Sequence, residues 1–257
     1  MRLERDIDGT LTARWPSQLV RVFDADPSLL ADVPDQLAAR LRRQVVTDLF
    51  MVATGMGMPL LPAVDGAFGL LVIDGLLLRR VSVAGRGSVE LFGLGDVLRP
   101  WQDDGQLASL PTSTSWRALE PTRLALLDRT FLETVQRVPT ILDELASRAM
   151  QRSHLLLARL AIAQMPRLDQ RLLALFWYLA DRFGRVEPGG VRIPVPISHS
   201  VLAELVSAQR PSVSVALKHL IERGDLARLP TGGWILLGSP ESLGADPAPF
   251  AIGAVEV

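Results

Sequence analysis

Polar and basic residues with the spacing of a DNA-reading surface are concentrated between residues 198 and 218. Gln209 and Arg210 precede a predicted helix, and Lys218, the only lysine of the chain, lies further along it. Small polar side chains with a cation at each end suit a helix that enters the major groove by its N-terminal end. The predicted DNA-binding residues are Ser198, His199, Gln209, Arg210, Ser212, Ser214, Val215 and Lys218.

Two short helices must position these side chains. Ser198 is a favourable N-cap for the first, and Pro211 suits the first position of the second, where its missing N–H does no harm. Residues 207–209 separate the helices, and Gly224 ends the second. The apolar residues that repeat at helical spacing, and so predict the buried faces, are Val201, Leu202, Leu205 and Val206 in the first helix and Val213, Leu217, Leu220 and Ile221 in the second.

A hairpin is predicted after the second helix. Residues 226–229 and 234–237 are short apolar runs, and the Pro-Thr-Gly-Gly sequence between them is typical of a turn. Two helices followed by such a hairpin form a winged helix-turn-helix. Its use for contacts with a protein instead of DNA is an alternative, and only DNA binding is expected to weaken steeply as salt rises.

The composition limits the remaining possibilities. A chain of 257 residues is long enough for two domains, and its net charge of -1 means that DNA affinity must come from local basic clusters. Cysteine is absent, which excludes disulfides and thiolate metal sites. No apolar run approaches the roughly 20 residues that span a bilayer, and residues 1–8 lack a hydrophobic segment. We therefore expect a cytoplasmic protein.

The region from residue 51 to residue 127 is rich in predicted strands. Glycine turns separate several of them, which predicts a small barrel or sandwich. Before this region, residues 35–50 have helical periodicity, and residues 1–34 are expected to form an irregular extension. The strands are expected at 68–73, 76–83, 89–92 and 123–127.

Helices are predicted again after residue 128, at 131–138, 140–164 and 168–183. In the second of these, apolar residues recur every seven positions, so one stripe suits packing against its copy in a second subunit. Packing against the chain's own barrel is the alternative, and both arrangements can hold together. The third helix and a strand at 191–195 belong with the helix-turn-helix. The stripe comprises Leu142, Ala149, Leu156 and Ala163, accompanied by Leu145, Leu155 and Leu160.

A barrel, a long helix and a winged helix-turn-helix in this order resemble the Crp/Fnr family of bacterial transcription regulators over residues 40–237. Residues 202–213 are similar to the family's helix-turn-helix pattern almost position by position. The resemblance implies that Arg210 reads a base or a phosphate, that Ser212 contacts the DNA backbone and that Lys218 contacts a phosphate. Val215 stands where a well-known member has a second base-reading arginine, and Ser207 where the family often has glycine. Because valine suits a thymine methyl, a different operator sequence is expected.

The barrel resembles the family's cyclic-nucleotide-binding domain through two glycine-centred turns, at 73–76 and 92–97. Arg99-Pro100 occupies the place of the family's glycine-glutamate pair for the ribose, and Thr112-Ser113 the place of its phosphate-binding arginine and small hydroxyl residue. A cyclic phosphate without a cation loses its strongest contact, so the usual control by cyclic AMP is not expected. One alternative is that Arg99 or Arg117 supplies the missing cation. Another ligand, a protein signal, and a purely structural barrel in a constitutive regulator are the others. The candidate effector pocket comprises Gly95, Asp96, Arg99, Thr112, Ser113 and Arg117.

The sequence thus predicts an α+β protein with a jelly-roll-type β-barrel, a long dimerisation helix and a C-terminal winged helix-turn-helix. The expected partners are double-stranded DNA and a second copy of the chain, and the family resemblance adds RNA polymerase and an effector. The three histidines do not form a metal-ligand set, and no catalytic motif or cofactor is expected. The expected segments are 1–34, 35–138, 139–165, 166–240 and a tail at 241–257.

Overall fold

The computed structural model describes residues 18–58, 66–102, 109–230 and 232–243, and the backbone of two N-terminal strands at 2–5 and 11–14. Two compact units divide the chain, one from Met1 to Leu160 and the other from Ala161 to Val257. Both combine helices with antiparallel strands, so the predicted α+β class is confirmed. Nearly all of the predicted C-terminal tail lies outside the described residues.

The N-terminal unit holds most of the strands. They are β1 (Arg2–Arg5), β2 (Leu11–Arg14), β3 (Gln18–Arg21), β4 (Val46–Val52), β5 (Gly69–Asp74), β6 (Leu77–Val83), β7 (Arg86–Phe92), β8 (Val97–Leu98), β9 (Thr112–Ala118) and β10 (Thr122–Leu127). Its helices are α1 (Val22–Ala25), α2 (Asp35–Gln44), α3 (Arg129–Val135) and most of α4 (Pro139–Gln164). Short 3₁₀ turns lie at Pro27–Leu30 and Pro100–Gln102.

Two antiparallel sheets share one apolar core in this unit. The first has the strand order β3-β4-β10-β5-β8 and the second β7-β6-β9. Leu70 and Val72 of β5 pack in the same cluster as Leu77 of β6 and Phe92 of β7, so both sheets contribute to it. The sequence pattern predicts β5, β6, β7 and β10 and misses β4, β8 and β9. The two sheets form the predicted jelly-roll-type domain.

A second core covers the other face of the five-stranded sheet. Val22 and Phe23 of α1 are completely buried there with Leu71 of β5 and Phe131 of α3. The segment from residue 18 to residue 34 is therefore integral to the fold and not an irregular extension, because β3 also pairs along β4. The predicted helix at 35–50 is wrong beyond Gln44, since Val46–Val52 is a strand held between β3 and β10.

Arginines of α4 attach this helix to the barrel. Arg148 and Arg152 each form an ion pair on the barrel side, and Arg159, which is 8% exposed, is hydrogen-bonded there as well. The expected packing of the long helix against its own barrel is thus present. The partners, at 2.6–2.8 Å, are Asp26 and Glu144 for Arg148, Glu90 for Arg152 and the Ser88 hydroxyl for Arg159.

The C-terminal unit is a three-helix domain with a small sheet in its described part. Its helices are α5 (Leu168–Phe183), α6 (His199–Leu205) and α7 (Arg210–Glu222). Its strands are β11 (Arg185–Glu187), β12 (Gly190–Ile193), β13 (Leu226–Arg228) and β14 (Trp234–Leu236), in the sheet order β11-β12-β14-β13. Trp234 contacts Phe176 with ring centroids 5.2 Å apart, so an aromatic pair joins the sheet to α5.

Neither unit offers a membrane-spanning helix: within the described ranges, no helix is both long and apolar enough to cross a bilayer.

Gly75 and Gly85 form a natural pair for testing turn geometry. Gly75, between β5 and β6, has a φ of +90°, and a Cβ there would lie 2.6 Å from the Thr122 Cα and against the Pro121 carbonyl. Gly85, between β6 and β7, has a φ of +77°, but a Cβ there would meet no atom within 4 Å. Backbone conformation alone requires glycine at position 85, whereas packing requires it as well at position 75.

We expect Gly85→Ala to lower the free energy of unfolding of the N-terminal unit by about 1 kcal/mol, the cost of a left-handed alanine. Gly75→Ala is expected to cost about 3 kcal/mol, because the strand after Thr122 must also shift. Scanning calorimetry of both variants measures the difference. Equal losses would contradict the close approach of the Thr122 backbone.

Candidate nucleic-acid interface

The helix α6 begins where the sequence predicts. Ser198 is its N-cap, and the Ser198 hydroxyl accepts a hydrogen bond from the Val201 amide at 3.3 Å. Val201, Leu202 and Leu205 are buried, so one face of this short helix packs on the core. The cap and the buried face together fix the start of α6 and leave His199 half-buried in its first turn.

The turn between α6 and α7 is made without glycine. Ser207 adopts a φ of +53°, a left-handed conformation that glycine tolerates better than serine. The Ala208 amide donates to the Ala203 carbonyl at 2.9 Å, which satisfies the end of α6. Gln209 then caps α7 with extended backbone, and Arg210 is the first helical residue. Pro211 therefore occupies the second position of the helix, one later than predicted.

One stripe of α7 is buried and the opposite face is exposed. Val213 and Leu220 have no exposed surface, and Leu217 has 1%. Ile221 departs from its prediction, because 43% of it is exposed at the end of the helix. The exposed face holds Ser212, Val215 and Lys218 of the predicted DNA-binding residues, and Gln209 and Arg210 are exposed at the N-terminal end of the helix.

The two cations of α7 differ in their surroundings. The Arg210 guanidinium has no acidic partner within the described part of the chain. The Lys218 ammonium lies 3.6 Å from the Glu222 carboxylate, one helical turn further on, and is 75% exposed. An exposed pair of this kind is weak, so Lys218 remains able to exchange its carboxylate for a phosphate.

His199 connects α6 with α7 and with β13. Its Nδ1 lies 2.9 Å from the Ser214 hydroxyl of α7, and its Nε2 lies 3.4 Å from the Arg228 guanidinium of β13. The Ser214 hydroxyl donates in turn to the Arg210 carbonyl at 3.2 Å. Burial, followed by the positive charges of Arg228 and Arg210, lowers the pKa of the His199 imidazole.

Arg228 is a candidate DNA-binding residue that sequence reasoning misses. Its guanidinium is exposed on the first wing strand and lies 5.3 Å from the centroid of the Trp234 ring. Its strand reads as an apolar run in sequence, and the contact with His199 spans 29 residues. Between residues 166 and 240 the chain carries nine arginines and lysines against six acidic residues, so the local charge is positive although the whole chain carries -1. The tip of the wing at position 231 lies outside the described residues.

The N-terminal unit contains a cavity of about 460 Å³ between the barrel and α4. Asp96 and Arg99 of the predicted effector pocket line it, and the Gly95 carbonyl accepts a hydrogen bond from Arg148 at its edge. The Arg99 guanidinium donates to the Phe68 carbonyl. The other three predicted pocket residues are not among those that line the cavity: Thr112, Ser113 and Arg117 pair through the backbone with Val83, Ser82 and Leu78 of β6.

Besides Arg99, which is held by the Phe68 carbonyl, the cations of this cavity come from α4 and β6. Arg152 shares the Glu90 carboxylate with Arg79, and the Arg152 guanidinium lies 3.6 Å from the centroid of the Phe92 ring. Arg148 is held by Asp26. Arg79, Arg148 and Arg152 therefore each already have a carboxylate partner. In the described residues no cluster of histidine and acidic side chains is suited to holding a metal ion.

The sequence of the C-terminal unit matches a known domain family. Residues 170–245 match the Crp-like helix-turn-helix domain, a span that includes α5, α6, α7 and both wing strands. A search of curated proteins returns no significant match over the chain.

Solved structures share the fold of most of the chain. A cyclic nucleotide-binding domain containing protein from Listeria monocytogenes is 17% identical, with a TM-score of 0.60 over 82% of this chain and 96% of its own. A variant of CooA from Carboxydothermus hydrogenoformans is 18% identical, with a TM-score of 0.59 over 77% and 86%. A transcriptional regulator of the CRP/FNR family from Thermus thermophilus is 21% identical, with a TM-score of 0.52 over 76% and 96%. The chain therefore contains a Crp-like helix-turn-helix domain and has the fold of Crp/Fnr-type transcription regulators.

Proposed function

We propose that this chain is a homodimeric transcription regulator that reads a pseudo-palindromic DNA operator. The observation that carries the proposal is the division of α7 into a buried stripe and an exposed polar face. Burial of Val213, Leu217 and Leu220 turns Val215 outward, and Arg210 is exposed because it is the first residue of α7, at the end that enters the major groove first. The match to the Crp-like helix-turn-helix domain supports DNA as the partner.

The dimer rests on the apolar surface that α4 leaves exposed. Met150, Leu157 and Leu160 are 65%, 63% and 57% exposed, and they recur at intervals of seven and three residues. Large apolar side chains repeating in this way along a helix are typical of a helix-to-helix interface. Leu160 belongs to the predicted stripe, whereas Met150 and Leu157 lie one residue beyond the predicted Ala149 and Leu156. The predicted face is partly covered by its own unit, since Leu145 is buried and Leu156 lines the cavity. A two-fold pair of α4 helices would present two recognition helices to successive major grooves, about one helical turn apart.

Base reading by α7 would combine a cation with an apolar contact. Arg210 suits a guanine or a phosphate, depending on how deeply the helix enters the groove. Val215, five residues later and 55% exposed, suits the methyl group of thymine. The proposed operator therefore contains a thymine that Val215 contacts, at a position where a second arginine would select guanine.

Control by a cyclic nucleotide is not part of the proposal. A cyclic phosphate needs a cation. Beside the cavity, Arg79, Arg148 and Arg152 are all paired with carboxylates, and the Arg99 guanidinium is hydrogen-bonded to the Phe68 carbonyl. Binding the anion would break a buried ion pair, which costs several kcal/mol by the usual magnitudes. A different small-molecule effector and a constitutive regulator with a structural barrel are both compatible with these ion pairs.

Arg210→Ala is expected to weaken binding to an operator by roughly 10- to 100-fold, because a base or phosphate contact is lost. Lys218→Ala is expected to weaken binding less and to make the salt dependence shallower by about one phosphate contact. The operator is obtained by selection from a random DNA pool, and affinities are measured by gel retardation at several salt concentrations.

Arg40→Ala, which removes an exposed arginine of α2 in the other unit, is the matched control and should leave affinity unchanged. Unchanged operator affinity in both α7 variants would overturn the DNA assignment. Partner binding without steep salt dependence would favour the winged helix as a protein-interaction module.

Leu157→Glu is expected to convert the dimer to monomer, because a charge would enter the apolar stripe of α4. Glutamate is a good helix former, so α4 itself should persist, which circular dichroism checks. Sedimentation equilibrium measures the oligomeric state. Val186→Glu, at an 89% exposed position of β11, is the control and should remain dimeric. A dimeric Leu157→Glu variant would exclude this stripe as the interface.

Titration calorimetry with cyclic AMP and cyclic GMP is expected to show no binding in the micromolar range. The physical reason is that each guanidinium group of the cavity already has a partner: Arg79 and Arg152 share Glu90, Arg148 is paired with Asp26, and Arg99 donates to the Phe68 carbonyl. Micromolar affinity for either nucleotide would contradict this assignment and would restore the cavity as a cyclic-nucleotide site.

A further inference from the structure

We propose that His199 is a positioning residue that ties the wing to the recognition helix through a chain of hydrogen bonds with one direction. The chain runs from the Arg228 guanidinium to His199, from His199 to the Ser214 hydroxyl, and from Ser214 to the Arg210 carbonyl. It links the exposed cation of β13 to the first residue of α7. The inference rests on the proposed DNA-binding function and assigns a further residue to that surface.

The proton positions follow from chemistry at the two ends. Arginine has only donors, so the His199 Nε2 that faces Arg228 must be an acceptor. A neutral imidazole with an acceptor at Nε2 carries its proton on Nδ1, which then donates to the Ser214 hydroxyl at 2.9 Å. The Ser214 proton is left free to reach the Arg210 carbonyl at 3.2 Å. One tautomer of one protonation state thus gives each of the three hydrogen bonds one donor and one acceptor.

The surroundings of His199 favour this neutral state. The imidazole is half-buried, and its ring centroid lies 6.3 Å from that of Trp234 of β14. The charged groups that act on it are Arg210 of α7 and Arg228 of β13, both positive. Burial first, and these two charges next, lower the pKa of His199, so it is neutral at pH 8.

Protonation would open the chain at one defined link. A proton on Nε2 faces the N–H groups of Arg228, so two donors and two positive charges would oppose each other. The link from Nδ1 to Ser214 would survive, since Nδ1 already donates. As the pH falls through the pKa of His199, Arg228 would lose its hydrogen bond to His199 and with it its connection to α6 and α7. The hydrogen bond from Ser214 to the Arg210 carbonyl would remain.

Nuclear magnetic resonance of the histidine side chains in the full-length protein tests the geometry without DNA. The ¹⁵N shifts at pH 8 are expected to show the Nδ1–H tautomer for His199, whereas free imidazoles prefer Nε2–H. Arg228→Ala should shift His199 toward the Nε2–H tautomer and raise its pKa, because the donor and its charge are gone. An Nε2–H tautomer in the unmodified protein would overturn the proposal, whether or not the chain binds DNA.

Salt-dependent binding at pH 8 tests the consequence for DNA. His199→Phe keeps an aromatic ring but removes both hydrogen bonds of His199. Because His199 is neutral at pH 8, the substitution itself removes no charge. We expect its salt dependence to become shallower by about one phosphate contact, as in Arg228→Ala, and the double variant to show no further change. A merely structural role for His199 would not reproduce the loss of one cation.

Controls separate the remaining explanations. His154→Gln, at an exposed position of α4 in the other unit, should leave both affinity and salt dependence unchanged. His199→Gln retains an acceptor that can reach Arg228, so it should recover part of the affinity lost in His199→Phe. The affinity loss caused by Arg228→Ala should shrink between pH 8 and a pH below the His199 pKa that the resonance titration measures, in the unmodified background.

Additive effects of His199→Phe and Arg228→Ala, with an equal Arg228→Ala loss at both pH values, would overturn the positioning role. If the unmodified chain fails to bind any selected DNA while the Nδ1–H tautomer is observed, the proposed function fails and the hydrogen-bond chain stands. The two failures are therefore distinguishable.

Discussion

The surface that the C-terminal unit offers to DNA depends on the burial of one narrow apolar stripe. Val213, Leu217 and Leu220 of α7 have almost no exposed surface, and their spacing leaves a single rotational setting for the helix. A rotation of one residue, about 100°, would bring Ser214 into the core and carry Val213 into water. The orientation of Ser212, Val215 and Lys218, which we propose face DNA, therefore follows from hydrophobic burial on the opposite side of α7.

Local signals account for the parts of the fold that could be predicted from sequence. The Ser198 cap needs only the hydroxyl and the next three residues, and α5 begins and ends where its periodicity does, at Leu168 and Phe183. The strand Val46–Val52 escapes prediction because its exposed and buried positions alternate only once β3 and β10 flank it. Thr112–Ala118 is mostly polar and is a strand because β6 pairs with it.

The residues of the candidate site also divide into those that local sequence signals predict and those that depend on distant contacts. Arg210, Ser212 and Lys218 are readable from spacing because they share one helix with the stripe that orients them. Arg228 and its contact with His199 are not, since 29 residues separate the two and the wing must fold before they meet. The pairing of Arg148 with Asp26, 122 residues away, is likewise invisible in the sequence, and it changes the chemistry expected of the cavity beside it.

The three barrel-facing arginines of α4 have a mechanical consequence. Positions 148, 152 and 159 bind carboxylate or hydroxyl partners on different parts of the unit, at Asp26, Glu90 and Ser88. Sliding the helix by one residue would advance it about 1.5 Å and turn it about 100°. All three guanidinium groups would lose their partners at once. Intermediate settings would hold unpaired buried charge, so the long helix has a fixed register on its barrel. A signal that travels along this helix would therefore move the barrel and the helix together as one rigid body. It would not slide the helix along its own axis.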